Sequence, residues 1–125
     1  MPTWTDDELS RIEHADELHI APLRGDGTPR PAIPIWVVRD GDNLYVRSYR
    51  GPQGAWFRTV QGSHEGHISA GGVDRDVTLV DESDPALNER IDAAYRAKYR
   101  RYSAAYVDPM VSAPARDSTL RLVPR

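Results

Sequence analysis

Residue types suited to chemistry concentrate in one stretch, Tyr45-Val-Arg-Ser-Tyr-Arg-Gly-Pro-Gln-Gly-Ala-Trp-Phe-Arg58, where a strand pattern gives way to a helix pattern. The first amides of a helix have no intrahelical partner and carry the positive end of its dipole, so such a junction accepts an anion. Gly51 and Gly54 allow close backbone approach, Arg47 and Arg50 bring guanidinium donors, and Trp56 offers a wall for an aromatic ligand. The plain alternative is a turn followed by a core Trp. Arginine count decides nothing here, because 15 of the 16 basic residues are Arg and only Lys98 is Lys.

The elements around the junction follow from periodicity and punctuation. Thr5-Asp-Asp-Glu8 has the capping-box pattern before a short helix. Residues 17–23 predict a strand, and Gly25-Asp-Gly-Thr-Pro29 a loop. Residues 32–38 (Ala-Ile-Pro-Ile-Trp-Val-Val) are apolar on both faces, so a helix or a second subunit must cover the side bearing Trp36. Asp40-Gly-Asp-Asn43 is a hairpin signal, and residues 44–49 alternate so that Tyr45, Arg47 and Tyr49 are expected outward. A helix is expected from Pro52 to about Gln61, ended by Gly62. His67–Ala70 and Val73–Val80 form a hairpin about Gly71-Gly72. Asp84-Pro85 starts the longest helix, to about Tyr106, striped by Tyr95, Tyr99, Tyr102 and Tyr106. Asp108-Pro109 starts a further helical turn, and residues 118–123 close the sheet. Six strands with singly inserted helices predict an antiparallel barrel of the α+β class in one domain, residues 1–125.

Length and charge narrow the partners. A net charge of −3 over 125 residues gives no broad positive field for nucleic acid or an anionic membrane surface. No apolar run approaches the roughly 20 residues of a membrane span, and the start is acidic where a signal peptide is basic then apolar, so a cytoplasmic protein is expected. The absence of cysteine excludes thiolate chemistry. His64-Glu-Gly-His67 has two residues between its histidines rather than three, so no metal is expected. Arg96-Ala-Lys-Tyr-Arg-Arg101 reads as a solvated helix face. For a chain of this size a symmetric homodimer burying the outer barrel face is economical, and a groove at such an interface suits a flat ligand, with Trp36 counted among its binding residues.

The run from Gly25 to Gly72, with Thr28-Pro-Arg-Pro31, Pro34-Ile-Trp-Val37, residues 40–48, Ala55-Trp-Phe-Arg58 and Ile68-Ser-Ala-Gly-Gly72, resembles the flavin-binding split-barrel superfamily, the pyridoxamine-phosphate-oxidase-like fold. The motif order is most similar to the deazaflavin-dependent nitroreductase-type branch and to an uncharacterised domain family of actinobacteria. The resemblance implies a homodimeric, six-stranded antiparallel split β-barrel with FMN or a deazaflavin across an interface groove. On its pattern Thr28 and Arg30 match the phosphate loop, Ser48 a strand-end Ser, Gly51 a turn Gly and Trp56 the helix aromatic. Tyr102 and Tyr106 match a helix pair on the substrate side and would supply the catalytic proton. The implied activity is hydride transfer to a small organic substrate. The alternative is a cofactor-free dimeric barrel that binds a small molecule as carrier, sensor or cyclase.

Overall fold

Thr5 starts the first helix through a reciprocal cap: its hydroxyl accepts from the Glu8 amide at 3.1 Å, and the Glu8 carboxylate accepts from the Thr5 amide at 2.9 Å. The computed structural model describes residues 3–125, so the first two residues of the acidic start lie outside it. In chain order the elements are α1 (Asp6–Glu13), β1 (Leu18–Pro22), β2 (Ile33–Ile35), β3 (Val37–Asp40), β4 (Asn43–Val46), α2 (Ala55–Ser63), β5 (Glu65–Ala70), β6 (Val73–Asp81), α3 (Pro85–Lys98), α4 (Ala104–Val107), α5 (Ala113–Arg116) and β7 (Leu120–Pro124). Single 3₁₀ turns occupy Gly51–Gln53 and Asp108–Val111.

The strands form one antiparallel sheet in the order β2-β1-β5-β6-β7-β4-β3. Its two edges, β2 and β3, are consecutive in the chain and separated only by Trp36. Ile33–Ile35 pair with β1, whereas Val37–Asp40 pair with β4, so the kink at Trp36 closes the barrel. This accounts for seven strands where six were expected: residues 32–38 are two short strands serving different neighbours. Pro34 has no amide to donate, which suits it to a segment paired on one side only.

The barrel is filled by Leu18, Ile20, Val37, Leu44, Val46, Leu120 and Leu122, plugged by Leu9 and Ile12 of α1 and by Phe57 and Val60 of α2. On its outer side α3 lays Leu87, Ile91, Tyr95 and Tyr99 over Val38 and Tyr45. At Val38, and in part at Trp36, the second apolar face of the kinked strand is therefore covered by a helix of the same chain, whereas Pro34 is exposed. Tyr45 and Arg47, expected outward, are instead 3% and 1% exposed under that layer.

The longest helix ends at Lys98 rather than near residue 106. Tyr99 leaves helical geometry where its hydroxyl accepts from the Val37 amide at 3.1 Å and donates to the Asp16 carbonyl at 2.8 Å. Its ring stacks on Trp36 with centroids 4.0 Å apart. These tertiary contacts override the helical propensity of the residues that follow. Helix α2 runs one residue past Gly62, and His64 takes the left-handed cap with φ 56°. Among the described residues no helix is long and apolar enough to cross a membrane.

Candidate functional site

Strand β4 delivers Ser48 to the rim of the barrel, where the next residues fold into a tight turn. The Ser48 amide donates to the Ser118 hydroxyl at 2.8 Å, and the Ser48 carbonyl accepts from the Gly51 amide at 2.9 Å. Gly51 turns with φ +66°, and a Cβ on it would lie 2.6 Å from the Pro114 carbonyl oxygen. Glycine is required there for both conformation and space. Gly54 caps α2 with no side-chain hydrogen bond, and a Cβ on it would lie 2.2 Å from the Ser48 hydroxyl. The Ser48 hydroxyl thus lies against Gly54, the residue that begins α2, whose first amides no side chain caps. Uncapped amides beside a hydroxyl have the polarity that suits a small anion, and the recess they form is a notch.

The notch opens into a cleft of about 640 Å³, a size typical of small-molecule sites. Trp36, Ile33, Ile35 and prolines 22, 31 and 34, the turn and first residues of α2, and Tyr106 and Met110 line it. The lining is chiefly apolar and aromatic. It includes three arginines, the exposed Arg50, Arg30 and the buried Arg47. Arg30 is pinned by Nη1, which donates to the Ala55 carbonyl at 3.2 Å and the Thr59 hydroxyl at 3.0 Å.

Arg47 reverses the role expected for it. Its side chain has no exposure, and all five of its N–H groups are used. Nε donates to Thr119 Oγ1 at 2.9 Å, Nη1 to Asp92 Oδ1 at 2.5 Å and the Met110 carbonyl at 2.9 Å, and Nη2 to Asn88 Oδ1 at 2.9 Å and its carbonyl at 3.2 Å. Asp92 also pairs with Arg116. A guanidinium so committed cannot also grip a ligand. It instead fixes the Met110 wall to β4 and α3.

The remaining expected site residues divide. Trp36, Ser48, Arg50, Trp56, Arg30 and Tyr106 come together on the cleft, although Trp56 is largely in the core. Gly51 shapes the turn without lining the cleft. Thr28 stands outside it: its hydroxyl and amide donate to Asp26 Oδ1 at 2.6 and 3.0 Å. Those two bonds, the hydroxyl's first, hold the Asp26 carboxyl below its ordinary range. Tyr102 also stands apart, tilted against Trp36 at 5.3 Å with Arg101 over its ring at 5.0 Å. Of the tyrosine pair only Tyr106, 61% exposed, reaches the cleft.

Sequence reasoning missed the supports. Ser118, Asn88, Asp92, Thr119 and Met110 lie 40 or more residues from Arg47 and Ser48, and no local pattern marks them. Tyr49 and Gln53, both within residues 45–58, also line the cleft. His67 is elsewhere, on the β5–β6 hairpin between Asp76 at 2.8 Å and Asp74 at 3.3 Å, and its pKa is raised chiefly by the hydrogen bond to Asp76.

A nearly closed antiparallel barrel with inserted helices and a cleft beside its kinked strand defines a split barrel of the pyridoxamine-phosphate-oxidase-like type. The chain belongs to DUF2255, a family described as an uncharacterized protein conserved in bacteria, whose profile matches residues 8–122. No curated protein matched the chain. Among solved structures it is similar to a Listeria innocua protein provisionally named a pyridoxamine 5'-phosphate oxidase, with TM-score 0.68, 18% identity, and 96% of this chain and 92% of that one covered. An F420-H2-dependent reductase matches with TM-score 0.64 and 13% identity over 86% and 93% of the two chains. The heme storage protein HutZ of Vibrio cholerae matches with TM-score 0.66 and 12% identity over 100% and 92%. At these identities the likeness establishes the fold. The ligand must be argued from the cleft.

Proposed function

We propose that the cleft binds a flavin-type cofactor, FMN or a deazaflavin, and that the protein is an oxidoreductase acting on a small organic substrate. The observation that carries this reading is the company the notch keeps: Ser48, the exposed Arg50 and the start of α2 at Gly54 and Ala55 line the same cleft as Trp36 and Trp56. Those groups suit a phosphate joined to a flat ring. Bound there, the cofactor would supply hydride transfer.

The chain's own residues have separable tasks. Ser48, Arg50 and the α2 amides hold the anionic end, Trp36 and Trp56 flank the ring, and the prolines and isoleucines exclude water. Tyr106 holds a phenolic proton at the open side, from which it can pass to product. Tyr49 and Tyr106, 56% and 61% exposed, leave that side incomplete, and a second copy of the chain would cover it. A homodimer is accordingly part of the proposal, read by size-exclusion chromatography with light scattering. A heme in the same cleft is less well supported, because no histidine lines it.

Fluorescence titration with FMN and with the deazaflavin tests the reading. Saturable binding to the wild type, weakened by Arg50→Gln and Ser48→Ala with folding intact, is the expected result. Equal affinity in the wild type and both variants would remove it.

A further inference from the structure

Two tryptophans line the cleft, and their aromatic neighbours differ. Trp56 meets the Phe57 ring edge-on, with centroids 6.2 Å apart, and a phenyl ring does not give up an electron readily. Trp36 instead stacks on Tyr99 at 4.0 Å with the planes 4° apart, and meets the exposed Tyr102 at 5.3 Å. Tyr102 and Tyr95 each lie near Tyr99 in turn, at 6.1 and 6.2 Å. Packing alone would be served by phenylalanine at Tyr95, whose buried hydroxyl has no hydrogen-bond partner among the described residues. One wall of the cleft is therefore the start of an indole-phenol cluster that reaches the surface.

In a chain without cysteine, indole and phenol are the side chains that most readily lose a single electron, and electrons pass quickly between rings in contact. Where the vacancy comes to rest depends on nearby charge and on proton release, because an oxidised phenol is stable only once its proton has left. Tyr95 is unsuited on both counts. The Arg47 guanidinium carbon lies 5.5 Å from its ring centre, and its hydroxyl has no acceptor to take the proton. Tyr99 donates to the Asp16 carbonyl, which is no base, and the Lys98 amine is 5.2 Å from its ring centre. Burial also holds both phenols above the ordinary tyrosine range. Tyr102 differs. It is exposed, so its proton can pass to water, and the Arg101 charge over its ring is balanced by a pair with Asp16.

We infer that Trp36 and Tyr102 form a one-electron relay, with Tyr99 holding the indole between them in place, that carries an oxidising equivalent from the cleft to the surface. A radical oxidant in the cleft, such as one derived from oxygen, takes one electron from the Trp36 indole and is reduced. Tyr102 returns an electron to the indole and releases its phenolic proton to water, which leaves a neutral phenoxyl radical at the surface. A thiol or ascorbate-type reductant in solution then supplies the hydrogen atom that restores the phenol. The cleft walls are thereby spared. This use of the relay rests on the redox reading of the cleft, whereas electron transfer between the two rings does not.

Pulse radiolysis of the cofactor-free protein in azide solution tests the relay. The azidyl radical oxidises indole in preference to phenol, and Trp36 is the least buried of the three tryptophans. Decay of the indolyl absorption matched by growth of the phenoxyl absorption, at a rate independent of protein concentration, is expected. That rate should fall at least tenfold in Tyr102→Phe, the matched growth should be lost in Trp36→Phe, and Tyr49→Phe should follow the wild type. A Tyr102→Phe rate equal to the wild type, or growth that persists in Trp36→Phe, overturns the relay. Circular dichroism checks folding, and the exposed Tyr102→Phe decides the matter alone if Trp36→Phe fails to fold. Tyr102-dependent transfer in a protein with no FMN or deazaflavin affinity would sustain the relay and remove the cofactor reading; cofactor binding without such transfer would do the reverse.

Discussion

Arg47 and Arg50 are three residues apart on the same strand-to-turn segment and have opposite fates. Arg47 is enclosed by five acceptors contributed by Thr119 just before β7, by α3 and by the turn before α5, with the Tyr95 ring 5.5 Å from its guanidinium carbon. Arg50 is exposed, unpaired with any carboxylate among the described residues, and faces the cleft. The difference teaches that residue type at a junction states only a capacity. Whether a guanidinium builds the wall or meets the ligand depends on which other elements fold back over it.

The sharpest way to break this comparison is to remove the counter-charge on the buried side. Asp92→Ala leaves Arg47 without its carboxylate in a sealed network, a change expected to cost about 3–5 kcal/mol of stability. Urea denaturation followed by circular dichroism checks it, and a loss near zero would mean that Arg47 is not the strut described here. Next in size is Gly51→Ala. Its positive φ and the 2.6 Å approach to Pro114 predict a loss of roughly 1–3 kcal/mol, read in the same denaturation experiment.

The exposed side should respond in binding and not in folding. Arg50→Gln is expected to leave the denaturation midpoint nearly unchanged. Loss of a charge-assisted hydrogen bond, worth about 1.5–3 kcal/mol, weakens cofactor affinity roughly 10- to 100-fold by fluorescence titration. Gly54→Ala sharpens the point, because its methyl group would displace the Ser48 hydroxyl. Weakened binding with little change in stability is expected there too.

The smallest expected effects are pH-dependent and come from residues away from the notch. Burial lowers the Lys98 pKa from 10.5 to about 8. Between those values the unfolded chain holds more protons than the folded one, so stability should rise with pH across that window. Lys98→Met should flatten that rise in denaturation measured at the two ends. His67 has the opposite sign. Its raised pKa makes its contribution complete below the ordinary value of 6.5 and lost as pH climbs through the folded value. His67→Gln should remove that slope without altering Arg50-dependent binding.

The hairpin at Gly71-Gly72, the Thr5 and Asp84 caps and the strand-to-helix junction were legible because their causes are local: turn conformations, hydroxyl and carboxylate caps, and alternation. The kink at Trp36 was not. Residues 32–38 read as one strand until β1 and β4 claim different halves. The break at Tyr99 was hidden for the same reason, since its ring and hydroxyl are taken by Trp36, Val37 and Asp16, which lie more than 60 residues away.

The sequence by itself determined the α+β barrel class, the apolar character of both faces near Trp36, and a strand-to-helix junction rich in glycine and arginine. Those properties depend on side-chain type and on periods of two and of about 3.6 residues. Only the tertiary structure decided that α3 covers the outer face at Val38 and Tyr45, that Arg47 is a buried strut, and that Trp36, Tyr99 and Tyr102 meet beside the cleft. Charge pairing and burial depend on distances between segments far apart in the chain, and those distances exist only once the barrel has closed.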